Sequence, residues 1–306
     1  MSTVSTKITE KMTIDAAGKD IVLNGLDFTK NGYLEIKNAN SVVVKNCRVY
    51  KLNTEDAAKN YWLKILGDIP VKLSITHSFF GTNPGTAGQL YNLFEMNAKL
   101  KTKSSISNNW FANGSCTHNV INVYGADEGS ALYFNGNYFG NSESGIRIGI
   151  KGEPNCSIVA RDNEYNVLDA SPENLEWTNV ALIQPYAKQT TSFGNLKITL
   201  EGNKFNAEVP DQLIGYFGSG DMPMSYESAP KATVDGKEIK LPIRTGSKAI
   251  AVIGTTEYAT LAAAIEAAGD KEITLVNSTE EEVDTSAAKI VASRPGLTIH
   301  GVELEF

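Results

Sequence analysis

Short runs in which β-branched or other apolar residues alternate with polar residues recur along the first two thirds of the chain. Clear examples occupy residues 20–23, 41–44, 71–75, 155–159 and 196–200. Such alternation predicts β-strands with one buried face and one wet face. Helical periodicity is nearly absent over residues 1–230, which excludes solenoids built from helical repeats. The pattern therefore predicts an all-β architecture for most of the chain.

A short phrase follows these runs and recurs seven times: a turn, one variable residue and a large apolar residue. Its clearest copy is Gly136-Asn137-Tyr138-Phe139. The copies end at Phe28, Val49, Phe80, Phe111, Phe139, Tyr165 and Phe205. Successive end points are 21, 31, 31, 28, 26 and 40 residues apart. A unit of roughly 20 to 40 residues that recurs with variable loop length indicates a solenoid.

The position just before the variable residue shows a further regularity. In chain order it holds Leu26, Cys47, Ser78, Asn109, Asn137, Asn163 and Asn203. Asparagines stacked at the same turn of successive units can bond through their side-chain amides to the units on either side, and asparagine tolerates the left-handed backbone of a sharp turn. The four asparagines are therefore predicted to form a structural ladder.

The asparagine turn, the aromatic residue after it and the strand–turn–strand spacing resemble right-handed parallel β-helix proteins of the pectate-lyase-like class. The resemblance covers about residues 10–220. It implies a right-handed parallel β-helix solenoid of about seven to eight coils. It leaves the function open, because the class includes polysaccharide lyases, glycosidases, adhesins and phage virion proteins. A β-sandwich or jelly roll with similar turns is the alternative fold.

The repeat weakens after Phe205, and the chain is expected to divide into three parts. Residues 1–230 are predicted to form the parallel β-helix domain. Residues 231–248 are predicted to be a linker or hairpin, and residues 249–306 a small C-terminal α+β module with β-helix-like rungs.

The C-terminal module is predicted to contain one helix between two strands. The apolar residues at helical spacing are Leu261, Ala264, Ile265 and Ala268. Thr260 is the expected N-cap and Gly269 the expected C-terminal stop. The flanking strands are expected at 249–253 and 272–276, and residues 297–304 resemble a further parallel rung.

Composition and charge narrow the range of partners. The net charge is −7 without strong clustering, so neither nucleic acid nor an anionic membrane is an expected partner. No apolar run is long enough to predict a membrane-spanning helix. Cys47, Cys116 and Cys156 are odd in number and widely spaced, and the chain has only 3 His, so no disulfide framework, zinc site or other cofactor is expected.

Enzymes of the class that the chain resembles use clustered carboxylates, with calcium and a basic residue in lyases or as an acid–base pair in glycosidases. The weak candidates for such chemistry are Asp127, Glu128, Glu143, Arg147, Arg161, Asp162 and Glu164. Each can equally be a solvated surface charge. Asp162 occupies the turn position that is Gly, Asn or His in other copies, which favours a conformational role. No catalytic motif of the class is present, so no catalytic residue is assigned.

Aromatic residues outside the repeated phrase are candidates for stacking on sugar rings. These are Tyr61, Trp62, Trp177 and Tyr186. The alternative for each is a place in the core or in an interface.

The resemblance favours a non-enzymatic structural surface protein of a phage virion: a capsid decoration protein, a head fibre or a tail-associated spike. Its expected partners are other virion proteins or a second copy of itself through residues 249–306, with host-surface glycan as a further contact. The first residues, 1–7, contain no apolar leader, which favours synthesis in the host cytoplasm and a place on the virion surface. Secretion with a leader removed is the alternative. A lyase or glycoside hydrolase acting on acidic polysaccharide and a glycan-binding adhesin are the alternative functions.

Overall fold

The computed structural model describes residues 6–52, 61–81, 92–112, 119–123, 129–140, 144–150, 155–165, 181–187, 195–205, 216–218, 231–240, 243–245 and 248–306. These are the described residues, and the fold within them is all-β with long parallel sheets. The strands before residue 246 are β1 (Thr6–Ile8), β2 (Met12–Asp15), β3 (Asp20–Asn24), β4 (Leu26–Lys30), β5 (Leu34–Lys37), β6 (Ser41–Lys45), β7 (Arg48–Leu52), β8 (Leu63–Leu66), β9 (Lys72–Thr76), β10 (Phe79–Phe80), β11 (Asn92–Met96), β12 (Ser104–Ser107), β13 (Trp110–Phe111), β14 (Asn119–Val123), β15 (Ser130–Asn135), β16 (Tyr138–Phe139), β17 (Ser144–Ile150), β18 (Cys156–Arg161), β19 (Glu164–Tyr165), β20 (Ala181–Ala187), β21 (Lys197–Glu201), β22 (Lys204–Phe205), β23 (Tyr216–Gly218), β24 (Lys231–Val234), β25 (Lys237–Ile239) and β26 (Ile243–Thr245).

Along the chain, each three consecutive strands lie in three different sheets, and the strand that follows them pairs with the first of the three. Sheet 1 has the order β1-β4-β7-β10-β13-β16-β19-β22, and sheet 2 has the order β2-β5-β8-β11-β14-β17-β20-β23-β26. Sheet 3 runs from β3 through every third strand to β24, with β25 at its end. Every pairing in these sheets is parallel except β24 with β25. The chain thus repeats a three-strand unit, which is consistent with a β-solenoid.

The large apolar residue that ends each of the first six phrases, from Phe28 to Tyr165, is buried in the core. Phe80, Phe111, Phe139 and Tyr165 are buried neighbours in sheet 1. Their rings stack at centroid distances of 5.0, 5.0 and 4.8 Å, with interplanar angles of 13°, 11° and 3°. These distances match the strand spacing of about 4.8 Å, so one ring per unit fills the interior without a gap.

The turn from sheet 3 into sheet 1 is held by the four asparagines. The side-chain Nδ2 of Asn109 donates to Oδ1 of Asn137 at 3.1 Å, Asn137 donates to Asn163 at 2.9 Å, and Asn163 donates to Asn203 at 2.9 Å. The same Nδ2 groups donate to backbone carbonyls of the preceding unit, for example Asn137 to Ile106 at 2.8 Å. Ser78 extends the row, because its Oγ accepts from the Cys47 backbone N–H at 3.1 Å.

The segment after residue 230 continues the parallel sheets. β24 pairs with β21, and β26 pairs with β23, so sheets 2 and 3 extend past the boundary expected at residue 230. The hairpin expected within 231–248 is present as β24 and β25, with Asp235 and Gly236 in the left-handed conformation at its turn. The repeat pattern did not predict β24, because the asparagine phrase does not follow this strand.

The C-terminal part has its own buried core. Its elements are β27 (Ala251–Ile253), β28 (Thr256–Tyr258), α1 (Leu261–Ala268), β29 (Ile273–Leu275), β30 (Ile290–Ala292), β31 (Thr298–Ile299) and β32 (Val302–Glu303). The predicted helix is confirmed, with Thr260 as its N-cap and Gly269 as its C-cap. β31 and β32 form an antiparallel hairpin, and the parallel pairing that the structure shows within residues 297–304 is one bridge between Ile299 and Thr279. Gly301, in the left-handed conformation, reverses the chain there.

Candidate functional site

The variable residues of the phrase form an outward row on sheet 1. In register along the sheet these residues are Asp27, Arg48, Phe79, Trp110, Tyr138, Glu164 and Lys204. In the first six of these strands the next residue is buried, so the two-residue period of a strand turns the preceding side chains toward the outer face. Three adjacent aromatic residues, Phe79, Trp110 and Tyr138, occupy the middle of the row.

A second row lies at the turn that precedes sheet 1. Its residues all have positive φ: Gly25, Asn46, His77, Asn108, Gly136, Asp162 and Gly202. The left-handed backbone directs the chain sharply from sheet 3 into sheet 1. Gly136 also leaves room for a neighbouring side chain, because a Cβ there would lie 2.5 Å from Oδ1 of Asn108 and would displace it.

A groove of about 750 Å³ runs beside these two rows. The aromatic row contributes to one side, the turn residues Asn46, His77, Asn108 and Asp162 contribute to the other, and the buried asparagine ladder lies beneath. We call it the outer groove. Because every unit contributes one residue to each row, the outer groove follows the direction in which the units succeed one another.

Trp110 and Tyr138 form the most prominent aromatic surface of the outer groove. Their ring centroids are 4.0 Å apart with an interplanar angle of 21°. The pair covers one face of each ring, while 51% of the Trp110 surface stays exposed. About half of the Trp110 surface is therefore available for contact with a ligand.

The two ends of the outer groove differ in charge. The Arg48 cation lies toward the N-terminal units, whereas the carboxylates of Asp162 and Glu164 lie toward the C-terminal units. The His77 ring is oriented by its Nδ1, which lies 2.7 Å from Oγ1 of Thr76. The outer groove thus combines an aromatic surface with positively and negatively charged groups that can form hydrogen bonds.

The candidate catalytic residues do not converge on one place in the described residues. Asp162 and Glu164 both line the outer groove. Arg161 lies in sheet 3, where its Nε pairs with Oε2 of Glu201 at 2.6 Å. Arg147 lies in sheet 2 between Asn122 and Gln184, and its side chain is outside the described residues. Asp127, Glu128 and Glu143 lie outside them altogether.

Of the four candidates for sugar stacking, Tyr61 and Trp62 have side chains within the described residues. Trp62 is fully buried, so the prediction that it stacks on a sugar at the surface is wrong. Its ring packs against the rings of Phe28 and Phe80 at centroid distances of 5.1 and 5.4 Å. Tyr61 is half-buried, and its hydroxyl donates to Glu35 Oε2 at 3.4 Å. Burial raises the pKa of that hydroxyl. Trp177 and the side chain of Tyr186 lie outside the described residues.

Phe79, Trp110 and Tyr138 were missed by the sequence analysis, although the repeat contained the signal. Each precedes the inward aromatic residue of its phrase, so alternation alone directs it outward. The phrase was interpreted as a turn followed by one large apolar residue. The residue between the turn and that apolar residue was regarded only as variable, so its outward direction was not considered.

Metal-binding and nucleophilic side chains among the described residues bear on two other kinds of chemistry. They contain no group of three or more His, Cys, Asp or Glu side chains that could hold a metal ion. Cys47 and Cys156 are buried, and burial raises the pKa of Cys156 to about 11, so its thiol is a poor nucleophile. No helix within the described ranges is long and apolar enough to cross a membrane.

Comparisons of the chain with known protein families, with curated proteins and with solved structures find no match.

Proposed function

We propose that the chain is a non-enzymatic structural surface protein, of the kind that phage virions carry as decoration proteins, head fibres or tail-associated spikes, and that its outer groove contacts a glycan of the host surface. The observation that carries the proposal is the outer groove, in which an exposed aromatic pair lies beside amide, imidazole and carboxylate side chains. The proposal includes a fold in which the three parallel sheets form a right-handed β-helix.

The right hand follows from general rules of chain topology. A crossover between parallel strands of one sheet is right-handed in nearly all proteins, because right-twisted strands pack back onto their sheet in that sense. Here every third strand returns to the same sheet, so each unit is such a crossover. A right-handed β-helix is therefore the expected winding.

The glycan follows from the chemistry of the outer groove. Sugar rings present apolar C–H groups beside hydroxyls, and binding sites combine aromatic surface with a few placed polar groups. Trp110 and Tyr138 supply the aromatic surface, while Asn108 and Asp162 supply hydrogen-bonding groups beside it. A groove that repeats with the units suits a ligand that itself repeats, such as a polysaccharide.

The structural role follows from the continuous ladders. Parallel strand pairing, the asparagine ladder and the stacked inner rings all link each unit to the next. Such a solenoid distributes its stability over neighbouring units and makes a stiff support for a binding surface. A virion surface is a place where stiffness of this kind is useful.

A second candidate is a polysaccharide lyase or glycoside hydrolase that acts on acidic polysaccharide. The observation that favours it is that Asp162 and Glu164 line the same groove, since glycosidases use two carboxylates flanking the bond. Asp162, however, adopts the left-handed turn conformation that the other units assign to Gly, Asn or His. Its position is therefore explained by the backbone alone.

An array of bacterial surface glycans, followed by mass spectrometry of the best ligand after incubation with the protein, separates these candidates. The proposal predicts binding that leaves the glycan at its original length. Shortened products that disappear with Glu164→Gln would instead support the enzyme. Failure to bind any glycan on the array would contradict the role assigned to the outer groove.

A further inference from the structure

The N-terminal end of the three sheets leaves apolar residues of the core incompletely covered. Ile8, Met12, Ile14 and Ile21 point toward the core and are only partly buried. Their partners one unit further in are fully buried: Phe28, Leu34, Ile36 and Val42. The second unit is thus covered by the first, whereas no described residue covers the first in the same way.

The backbone at this end is also directed outward. The N–H groups of Met12 and Ala16 donate to Tyr33 and Lys37 of the next unit, both at 2.8 Å. In a parallel ladder, alternate residues of a strand bond to the same neighbour, so the N–H and C=O of Thr13 face away from β5. β2 therefore presents an edge to which another strand can pair.

The opposite end of sheet 3 ends in an antiparallel strand. Strand β25 runs antiparallel to β24 and ends the parallel ladder. The ring of Phe306 lies against Lys240, just after β25, with Nζ 5.3 Å from the ring centroid. Head-to-tail stacking of a second copy would therefore not continue a parallel ladder at this end of sheet 3, which favours the N-terminal end for association.

We propose that the N-terminal end docks on the N-terminal end of a second copy, with β2 of the two chains paired antiparallel about a twofold axis at Thr13. The residues of β2 suit this register. Met12 then lies opposite Ile14 of the second copy, with both side chains on the core side. Lys11, whose Nζ lies 3.2 Å from Glu35 Oε2 of its own chain, lies opposite Asp15 of the second copy. Thr13 lies opposite itself, with its outward N–H and C=O bonded to those of its counterpart.

The segment is therefore self-complementary about Thr13 in charge, in apolar character and in hydrogen-bonding direction. A twofold contact of this kind uses the same surface on both chains and closes at two copies. The dimer uses no residue of the outer groove, and the inference does not depend on the proposed function.

The test is the mass of the full chain in solution, by light scattering over a dilution series, with paired charge variants. The proposal predicts a species of twice 33.1 kDa. Lys11→Glu and Asp15→Lys should each weaken the dimer by about tenfold or more, because each places like charges together twice in the twofold contact. An equimolar mixture of the two variants should restore association, since opposite charges then face each other again.

Lys72→Glu is the matched control, because Lys72 is also an exposed lysine but lies on β9, two units away in sheet 3. It should leave the dimer unchanged. Thr13→Pro is a second variant that blocks the outward edge and leaves the N–H bonds to β5 in place. Circular dichroism of each variant confirms that it is folded. A monomer at all concentrations, or a dimer that none of the β2 variants weakens, would overturn the proposal.

Discussion

At the scale of single residues, the turn from sheet 3 into sheet 1 assigns different tasks to three consecutive positions. The first takes the left-handed conformation, the second is a buried ladder residue, and the third points outward into the outer groove. Asn108, Asn109 and Trp110 are one such triplet. A single turn thus holds the units together and also presents the candidate binding surface.

Asn137→Ala should lower the free energy of unfolding by about 3 kcal/mol. The substitution removes four buried hydrogen bonds: those from the backbone N–H and Nδ2 of Asn109, and those to the carbonyl of Ile106 and Oδ1 of Asn163. Chemical denaturation measures the loss. Asn24→Ala, at an exposed asparagine, is the control and should cost no more than about 0.5 kcal/mol. Equal losses in the two variants would contradict the ladder's role.

At the scale of elements, the two-residue strand β13 separates stability from surface chemistry. Phe111 is buried between Phe80 and Phe139, whereas Trp110 is largely exposed. Neighbouring positions of the same strand therefore provide a matched pair of substitutions.

Phe111→Ala should reduce the free energy of unfolding by about 3–5 kcal/mol, because it opens a cavity within the stacked rings. Trp110→Ala should reduce it by less, by about 1 kcal/mol, since about half of that residue is exposed to water and its substitution opens no cavity in the core. Thermal and urea unfolding of both variants test the difference. A larger loss for Trp110→Ala would show that the outward row supports the fold instead of forming a free surface.

Helix α1 has a cap that lies 20 residues away in the chain. The Glu281 carboxylate accepts from the backbone N–H groups of Leu261 at 2.9 Å and Ala262 at 3.1 Å. The bond from Leu261, followed by those from Ala262 and Thr279, lowers the pKa of Glu281 below its ordinary value, against the effect of burial. The negative charge also lies at the positive end of the helix dipole.

Because the pKa of Glu281 is lower in the folded state, its stabilisation is fully present above the ordinary carboxyl pKa of about 4.3. It is lost as the pH falls through the lower, folded pKa. Glu281→Gln should therefore reduce the stability of the α1 region near pH 7 by about 1 kcal/mol and weaken its acid sensitivity. Thermal unfolding from pH 7 to pH 3 tests this. Glu280→Gln, at the exposed neighbouring residue, should behave like the unsubstituted chain.

The sequence predicted elements wherever one strong local signal marked them. The phrase located the inner aromatic residues, and helical spacing with Thr260 and Gly269 located α1. Strand β24 carries no such signal, because its four residues are defined by pairing with β21. The cap by Glu281 could not be predicted from the local sequence either, because only the tertiary fold brings residue 281 to the start of the helix.

At the scale of the whole molecule, the parallel sheets extend to Thr245 and not to residue 230. β24 covers the end of sheet 3, where Ala232 is buried beside Ile198. The outer groove could not be predicted as a unit from the sequence, because the rows that form it come from residues about 30 positions apart. Only the register of the strands brings these residues together.

A chain that ends at residue 245 should keep a higher melting temperature than one that ends at residue 230. The shorter chain loses β24 to β26 and exposes the last rung of sheet 3, including Leu196 and Leu200. In a chain of this size, each kcal/mol lost is expected to lower the melting temperature by about 2–4 °C. Differential scanning calorimetry of the two chains tests this. Equal melting temperatures would restore the boundary at residue 230.

The most direct test of the central claim is the affinity of Trp110→Ala for the glycan that binds best on the array. Isothermal titration of the unsubstituted chain, of Trp110→Ala and of Tyr133→Ala, a half-buried tyrosine on the outer face of sheet 3, makes the comparison. If the outer groove binds the glycan, Trp110→Ala should weaken binding by about tenfold or more, and Tyr133→Ala should leave it unchanged. Unchanged affinity in Trp110→Ala, with the fold intact, would contradict the claim.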